Sequence, residues 1–270
     1  MKKITSYFAI MSLSLSTAYA DLSTQQVERY LEVSGGQAVM ETLQSQLSDA
    51  LDAKIRVTGA PVNPKSINTI KEILTSDKNI NLYKSDIKHL NLKTYQEVLK
   101  FYTTKVGKKS AETAKSMDMM TMEQEMANFI KSQKDNPFSN KKNLLIREIT
   151  TTLKTLEMQT NIAKKIFIIM NQNLPKKMRM PQDKVEMMLT QISPLIEQQT
   201  MISINYTFKE YNEEELAEIL KYSQSEAGKE EAGVVVSGTS KYVEATMSEI
   251  ISAFISEAQS KHPEKFKKAS

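Results

Sequence analysis

The chain has 270 residues, enough for one large or two small domains. Its 36 basic and 32 acidic residues leave a formal net charge of +4, and it has no cysteine. That excludes disulfide staples, thiol catalysis and cysteine-based metal sites, so an apolar core must supply the stability. Gly and Pro number only 7 each, which favours helix. Trp is absent and aromatics are 7%, so aliphatic and Met side chains are expected to fill that core.

In chain order, Lys2 and Lys3 precede a short apolar run, Ile4–Ser16, and Ala18-Tyr19-Ala20 has the A-x-A form of a cleavage site. This reads as a secretory signal peptide over 1–20, cut after Ala20, because the run is far short of the ~20 residues a membrane span needs. Loss of Lys2 and Lys3 lowers the net charge to +2, which argues against a general nucleic-acid binder. With no cysteine, the export signal points to the periplasm and leaves no lipobox for a lipid anchor.

Thr24–Val33 carries Val27, Tyr30 and Leu31 at helical spacing and is broken by Ser34-Gly35-Gly36. Ala38–Ile55 resumes the pattern, with Val39, Leu43, Leu47 and Leu51 on one stripe. Asn63-Pro64 looks like a cap followed by Pro at the first helical position, and Ile67, Ile70, Ile73 and Leu74 form that helix's buried face. A turn is expected over Asp77–Asn81, a short amphipathic piece over Leu82–Leu90, a helix over Asn91–Lys105 with Gly107 either ending it or allowing close packing, and one long Met-rich helix over Ser110–Lys131. Asp135–Lys142, DNPFSNKK, disfavours helix and is the expected linker between residues 21–134 and 143–260.

The second half opens with a helix expected over Leu144–Leu174. Its Ile166–Met170, IFIIM, is apolar all round and should lie central in the core. Pro175–Pro181 is a basic loop. The next helix contains Pro194, which should kink it. Asn212–Lys229 then reads as a capped amphipathic helix that stops at Gly228. A last helical region runs to about Ala258. Val234-Val235-Val236 could form a strand but is assigned to helix or a helix break, and 261–270 is a basic tail.

Asn212–Lys229 has an echo 121 positions earlier, Asn91–Lys108. Asn91 falls on Asn212, Glu97 on Glu218, Phe101 on Tyr222 and Gly107 on Gly228. Asn is a good N-cap because its side-chain oxygen accepts a backbone N–H of the first turn. Asn212-x-x-Glu215 has the form of a capping box, and Glu213–Glu215 lie at the positive end of the helix dipole. The first copy has Thr94 in place of Glu215, so its cap is expected to be weaker.

The acidic helix start Glu213–Leu216, then Tyr222 and Ser225-Glu226-Ala227-Gly228-Lys229, resembles the signature of the exported bacterial family DUF2059, a domain of unknown function. The first copy reads Phe101–Lys108, and the opening Val27–Gly36, VERYLEVSGG, is similar to that family's early helix and Gly turn. Where the family carries a proline before Ala-Gly, this chain has Lys105 and Glu226. The resemblance implies an all-helical exported protein in two degenerate copies, and it implies no activity.

Met117, Met119, Met120, Met122 and Met126 are the sharpest chemical lead, since closely spaced thioethers suit Cu(I). Core packing accounts for Met119, Met122 and Met126, which share a helical stripe with Phe129 and Ile130, but less well for Met117 and Met120. His89 sits near a helix boundary and His262 in the tail, too few for a zinc site or a Ser-His-Asp triad. Glu213-Glu214-Glu215 point in three directions from a helix and do not converge, so helix-start electrostatics explains them. Lys105–Lys109 and Lys176–Arg179 are short basic groups that could touch anionic lipid heads or a phosphate. No catalytic, cofactor-binding or metal residue is assigned.

These readings predict an all-α bundle or array of about ten amphipathic helices in two similar halves. The expected role is a non-enzymatic periplasmic interaction module that binds an envelope protein through an exposed apolar patch. The alternative is a carrier of a lipid or other apolar ligand, in a Met- and Ile-lined cavity of at least ~300 Å³. An enzyme would need polar residues of both halves to converge, for instance around His89.

Overall fold

The computed structural model describes residues 21–38, 40–41, 64–116, 119–174, 176 and 179–261. The expected signal segment, most of Ala38–Ile55, the Thr58–Asn63 stretch, Met117 and the tail from His262 lie outside them. Within them the chain forms eleven α-helices and no strand, which is the all-α class. The first half holds α1 (Thr24–Ser34), α2 (Pro64–Leu74), α3 (Asp77–Ile87), α4 (Leu92–Thr103), α5 (Lys105–Lys115) and α6 (Met119–Asp135). The second holds α7 (Asn140–Thr152), α8 (Thr155–Asn173), α9 (Gln182–Thr207), α10 (Glu213–Gln224) and α11 (Glu226–Lys261).

Local chemistry sets most helix starts. Ser23 and Gln26 cap α1 reciprocally, Ser139 accepts the Lys142 N–H to open α7, and Asn212 with Glu215 forms the expected capping box on α10. Pro64 is the first residue of α2, as its position after Asn63 suggests.

Several ends differ from expectation. Asp77–Asn81 belongs to helix α3, and the chain turns earlier, at Thr75 and Ser76. The run Ser110–Lys131 is divided between α5 and α6. The run Leu144–Leu174 is cut at Lys154, whose φ of 51° is left-handed. An apolar period continues across such breaks because it records burial, not backbone continuity. None of Ile166–Met170 is fully buried and Met170 is 51% exposed, so that turn is not the centre of the core. Val234–Val236 lies inside α11, and α9 runs through Pro194 as one helix.

The glycines of the repeated stretch do not end their helices. α4 stops at Thr103 and α10 at Gln224, each followed by a single extended residue that opens the next helix. Thr104 (φ −69°, ψ 162°) and Ser225 (φ −67°, ψ 162°) do the same work. The Thr104 hydroxyl donates to Phe101 O at 2.7 Å and accepts from Gly107 N at 3.0 Å. The Ser225 hydroxyl donates to Tyr222 O at 2.6 Å and accepts from Gly228 N at 3.1 Å. Each new helix therefore starts tight against the last turn of the old one. A Cβ on Gly107 would lie 2.1 Å from Phe101 O, and one on Gly228 would lie 2.2 Å from Tyr222 O.

The two copies face each other. Phe101 and Tyr222, equivalent in the repeat, stack with centroids 3.8 Å apart and planes 4° from parallel. The caps are also shared across this contact. In α10 the Glu215 carboxylate accepts the Asn212 N–H at 3.1 Å and is held by Lys109 at 2.6 Å. In α4 no carboxylate stands at Thr94, yet the Asn91 N–H still donates to one at 3.1 Å. It comes from Glu230 of the other copy, the residue that Lys109 occupies in the first. Glu230 also accepts from Asn91 Nδ2 and Thr94 Oγ1, each at 2.6 Å. The first cap is thus not missing its acid but receives it across the interface.

The apolar faces meet in matching clusters. Ile87, Leu90, Tyr95 and Val98 pack with Val27, Tyr30 and Leu31, while Tyr211, Leu216 and Ile219 pack with Ile146 and Ile149. The copies diverge in their last helix. α11 packs against α2, α3 and α4 of the first half as well as α8 and α10 of its own. Gly238 lets it approach α3, since a Cβ there would lie 3.0 Å from Tyr83 O. Lys241 and Ser237 bond Asp86 Oδ1 at 2.8 and 3.1 Å, and Tyr242 is buried among first-half side chains.

Gly228→Ala is expected to destabilise by about 3 kcal/mol, because the methyl meets backbone that cannot yield. Gly233→Ala, with nothing within 4 Å of its Cβ, should stabilise by about 1 kcal/mol. Urea unfolding monitored by circular dichroism compares them, and equal effects would refute the close-approach account. Glu230→Lys should cost about 1–2 kcal/mol by stripping the α4 cap. Adding Thr94→Glu rebuilds the Glu215–Lys109 arrangement and should recover most of that loss in the same assay.

Candidate functional site

Between the two halves lies a half-open cavity of about 440 Å³. Repeat-equivalent positions line it in pairs: Phe101 and Tyr222, Ala114 and Val235, Ser110 and Glu231. Its walls are mostly apolar, as expected where two apolar helix faces meet around a gap. They are more aromatic than the Met- and Ile-lined space predicted from composition. Met40, Met158 and Ile219 contribute, but Tyr30, Tyr83, Tyr102, Phe208 and Tyr211 stand beside them.

Glu231 is the charged side chain on that wall, 7% exposed. It sits on α11 one turn past the Gly228 junction, which brings it back beside the end of α10. Three tyrosines donate to it. Tyr222 Oη reaches Oε2 at 2.5 Å, and Tyr30 and Tyr102 reach Oε1 at 2.9 and 3.2 Å. They come from α10, α1 and α4, so one carboxylate ties four helices together. Burial pushes its carboxyl above the usual range, and the three hydroxyl hydrogen bonds oppose that rise. Burial, with the Glu231 charge next, holds the Tyr30, Tyr83, Tyr102 and Tyr222 hydroxyls well above their ordinary value, so they remain donors.

The residues singled out from sequence lie elsewhere. Side chains of Met119–Met122 fall outside the described residues, as does Met117, and Met126 is half-buried on α6. Among the described residues no group of three His, Asp or Glu side chains could hold a metal ion. His89 is exposed at the surface, with Nδ1 3.0 Å from Asp21 Oδ1, and does not line the cavity. Its N–H caps a turn by donating to Asp86 O. His262 lies outside the described residues.

Glu213, Glu214 and Glu215 do not converge. The Ser139 hydroxyl, then Lys141, lowers the Glu213 carboxyl, and Lys109 lowers that of Glu215. Of the basic groups, Lys109 is committed to Glu215 and Glu210 O, and Arg179 Nε donates to Leu174 O. The large apolar side chains most exposed, Leu144, Met170, Met187 and Leu195, are spread over α7, α8 and α9. No described helix is long and apolar enough to cross a membrane.

Glu231 carried no signal of its own in the sequence. Tyr30 was legible as a stripe residue and Tyr222 as the partner of Phe101, but their convergence on one acid spans about two hundred positions. A glutamate entering the Ala227–Val236 stretch on its apolar side was the available clue. Compared with protein families, characterised proteins and solved structures, the chain matches none.

Glu231→Gln tests the electrostatics. With its pKa raised in the folded state, the native protein holds this proton more tightly than the unfolded chain above about pH 4.5, the ordinary value. The carboxyl therefore lowers stability as pH climbs from there through the folded-state pKa. The melting temperature of the unaltered protein minus that of Glu231→Gln should fall as pH rises above 4.5. A flat difference would show the carboxyl to be unperturbed.

Proposed function

We propose that this is a non-enzymatic binding protein that carries an apolar ligand between its two halves, exported to the periplasm and related to the DUF2059 family. The observation that carries this reading is the cavity of about 440 Å³, apolar on most of its wall with one polar focus at Glu231. Small-molecule sites have this form: mostly hydrophobic and aromatic lining, a few convergent polar groups, and volumes of roughly 300–1,000 Å³. Placement between two packed halves supports it, since a ligand there replaces side-chain contacts that neither half can make alone.

The export assignment rests on Lys2–Ala20 and on the absence of cysteine. The family assignment rests on the Tyr222–Lys229 stretch and its echo. Binding, not catalysis, is favoured because the charged group of the cavity wall, Glu231, is spent on three tyrosine hydroxyls, an arrangement that holds a shape and activates no nucleophile. The interaction-module alternative draws less support. The exposed large apolar side chains are divided among α4, α6, α7, α8, α9 and α11, whereas those of the cavity share one space.

Mass spectrometry of the protein under native conditions should detect a co-purified apolar molecule. Ala114→Phe, which places a ring in the cavity from a half-buried position on α5, should weaken binding of a neutral naphthylamine dye about tenfold or more. Its melting temperature reports any loss of fold. An empty protein that binds the dye equally with and without the substitution would end the carrier reading.

A further inference from the structure

The chemistry of the cavity wall narrows the ligand class. An ionised carboxylate offers about four acceptor sites on its two oxygens. Tyr30, Tyr102 and Tyr222 fill three of them, leaving Glu231 with capacity for one more donor. Among the described residues, the groups that act on Glu231 are these tyrosines, and no lysine or arginine balances its charge. A buried charge without a counter-ion is costly, and a ligand that supplies the opposite charge removes that cost. The surrounding walls are aromatic. Phe101, Tyr222 and Tyr83 line the same space, and aromatic surroundings favour a cation. A ligand carboxylate would meet Glu231 as a like charge, and a ligand without a polar end would leave the free acceptor unused.

Building on the carrier reading above, we propose that the cavity binds an organic ammonium ion with an apolar body, its N–H donating to Glu231 among the aromatic rings and its hydrocarbon filling the remaining space. The binding partner is thus a small amphiphilic amine and not a fatty acid or a hydrocarbon.

Titration calorimetry with decylammonium, decanol and decanoate separates the possibilities, because the three share a chain and differ in the headgroup. Decylammonium should bind at least about tenfold more tightly than the other two. The net charge is positive, +4 over the full sequence and +2 without Lys2 and Lys3, and would favour decanoate, so bulk attraction cannot produce that order. Glu231→Gln should lose the preference for the amine while retaining decanol. If decanol or decanoate binds as well as the amine, the ammonium assignment is wrong and the carrier reading stands. If none of the three binds, both are wrong. If Glu231→Gln folds and still prefers the amine, the charge of Glu231 is not what recognises it and the assignment fails. The headgroup order in the unaltered protein decides the matter even where the variant does not fold.

Discussion

Two helix junctions, each a single residue wide, govern the rest of this architecture. At Thr104 and at Ser225 one extended residue ends a helix and starts the next, with the same hydroxyl serving both. The new helix then rises so close to the old one that only a hydrogen atom fits at Gly107 and Gly228. Because the approach is fixed by backbone against backbone, the angle between consecutive helices has little freedom. That angle sets where the first two turns of α5 and α11 point, and hence which side chains reach the opposite half.

The consequence is clearest at Glu230 and Glu231. Adjacent residues on a helix point about 100° apart. From the second turn of α11, Glu230 reaches the N-terminus of α4 and completes a cap there, while Glu231 turns into the cavity and gathers three tyrosines. One turn of helix thus fastens the two halves and supplies the polar focus of the candidate site. The corresponding turn of α5 has Lys109 and Ser110, and there the acid has moved to Glu215. The interface keeps both caps satisfied while leaving a single carboxylate in the cavity. That asymmetry gives the space a polar side.

Much of the fold was legible in the chain. The apolar stripes of Val27–Leu31, Ile70–Leu74 and Leu216–Leu220 mark faces that are buried, because a helix can hide only what recurs at its own period. Asn91 and Asn212 announced their helix starts, since a cap is made within four residues. Boundaries set by longer-range geometry were less legible. Gly228 reads as a stop signal, the common use of Gly after a helix, yet it stands inside the next helix, where a neighbouring turn excludes any side chain. Ile166–Met170 reads as core by its hydrophobicity, but what packs against α8 decides how much of it is covered.

Sequence alone therefore determined the helical class, the repeated segment and its caps, all of which follow from interactions spanning a turn or two. Only the tertiary structure decided that Phe101 would stack on Tyr222, that Glu230 would cap a helix 139 residues away, and that Tyr30 would meet Glu231 201 residues away. Such contacts depend on how two halves are laid against each other. Helical periodicity records which face is apolar, but it carries no information about which other face will cover it or what space will remain between them.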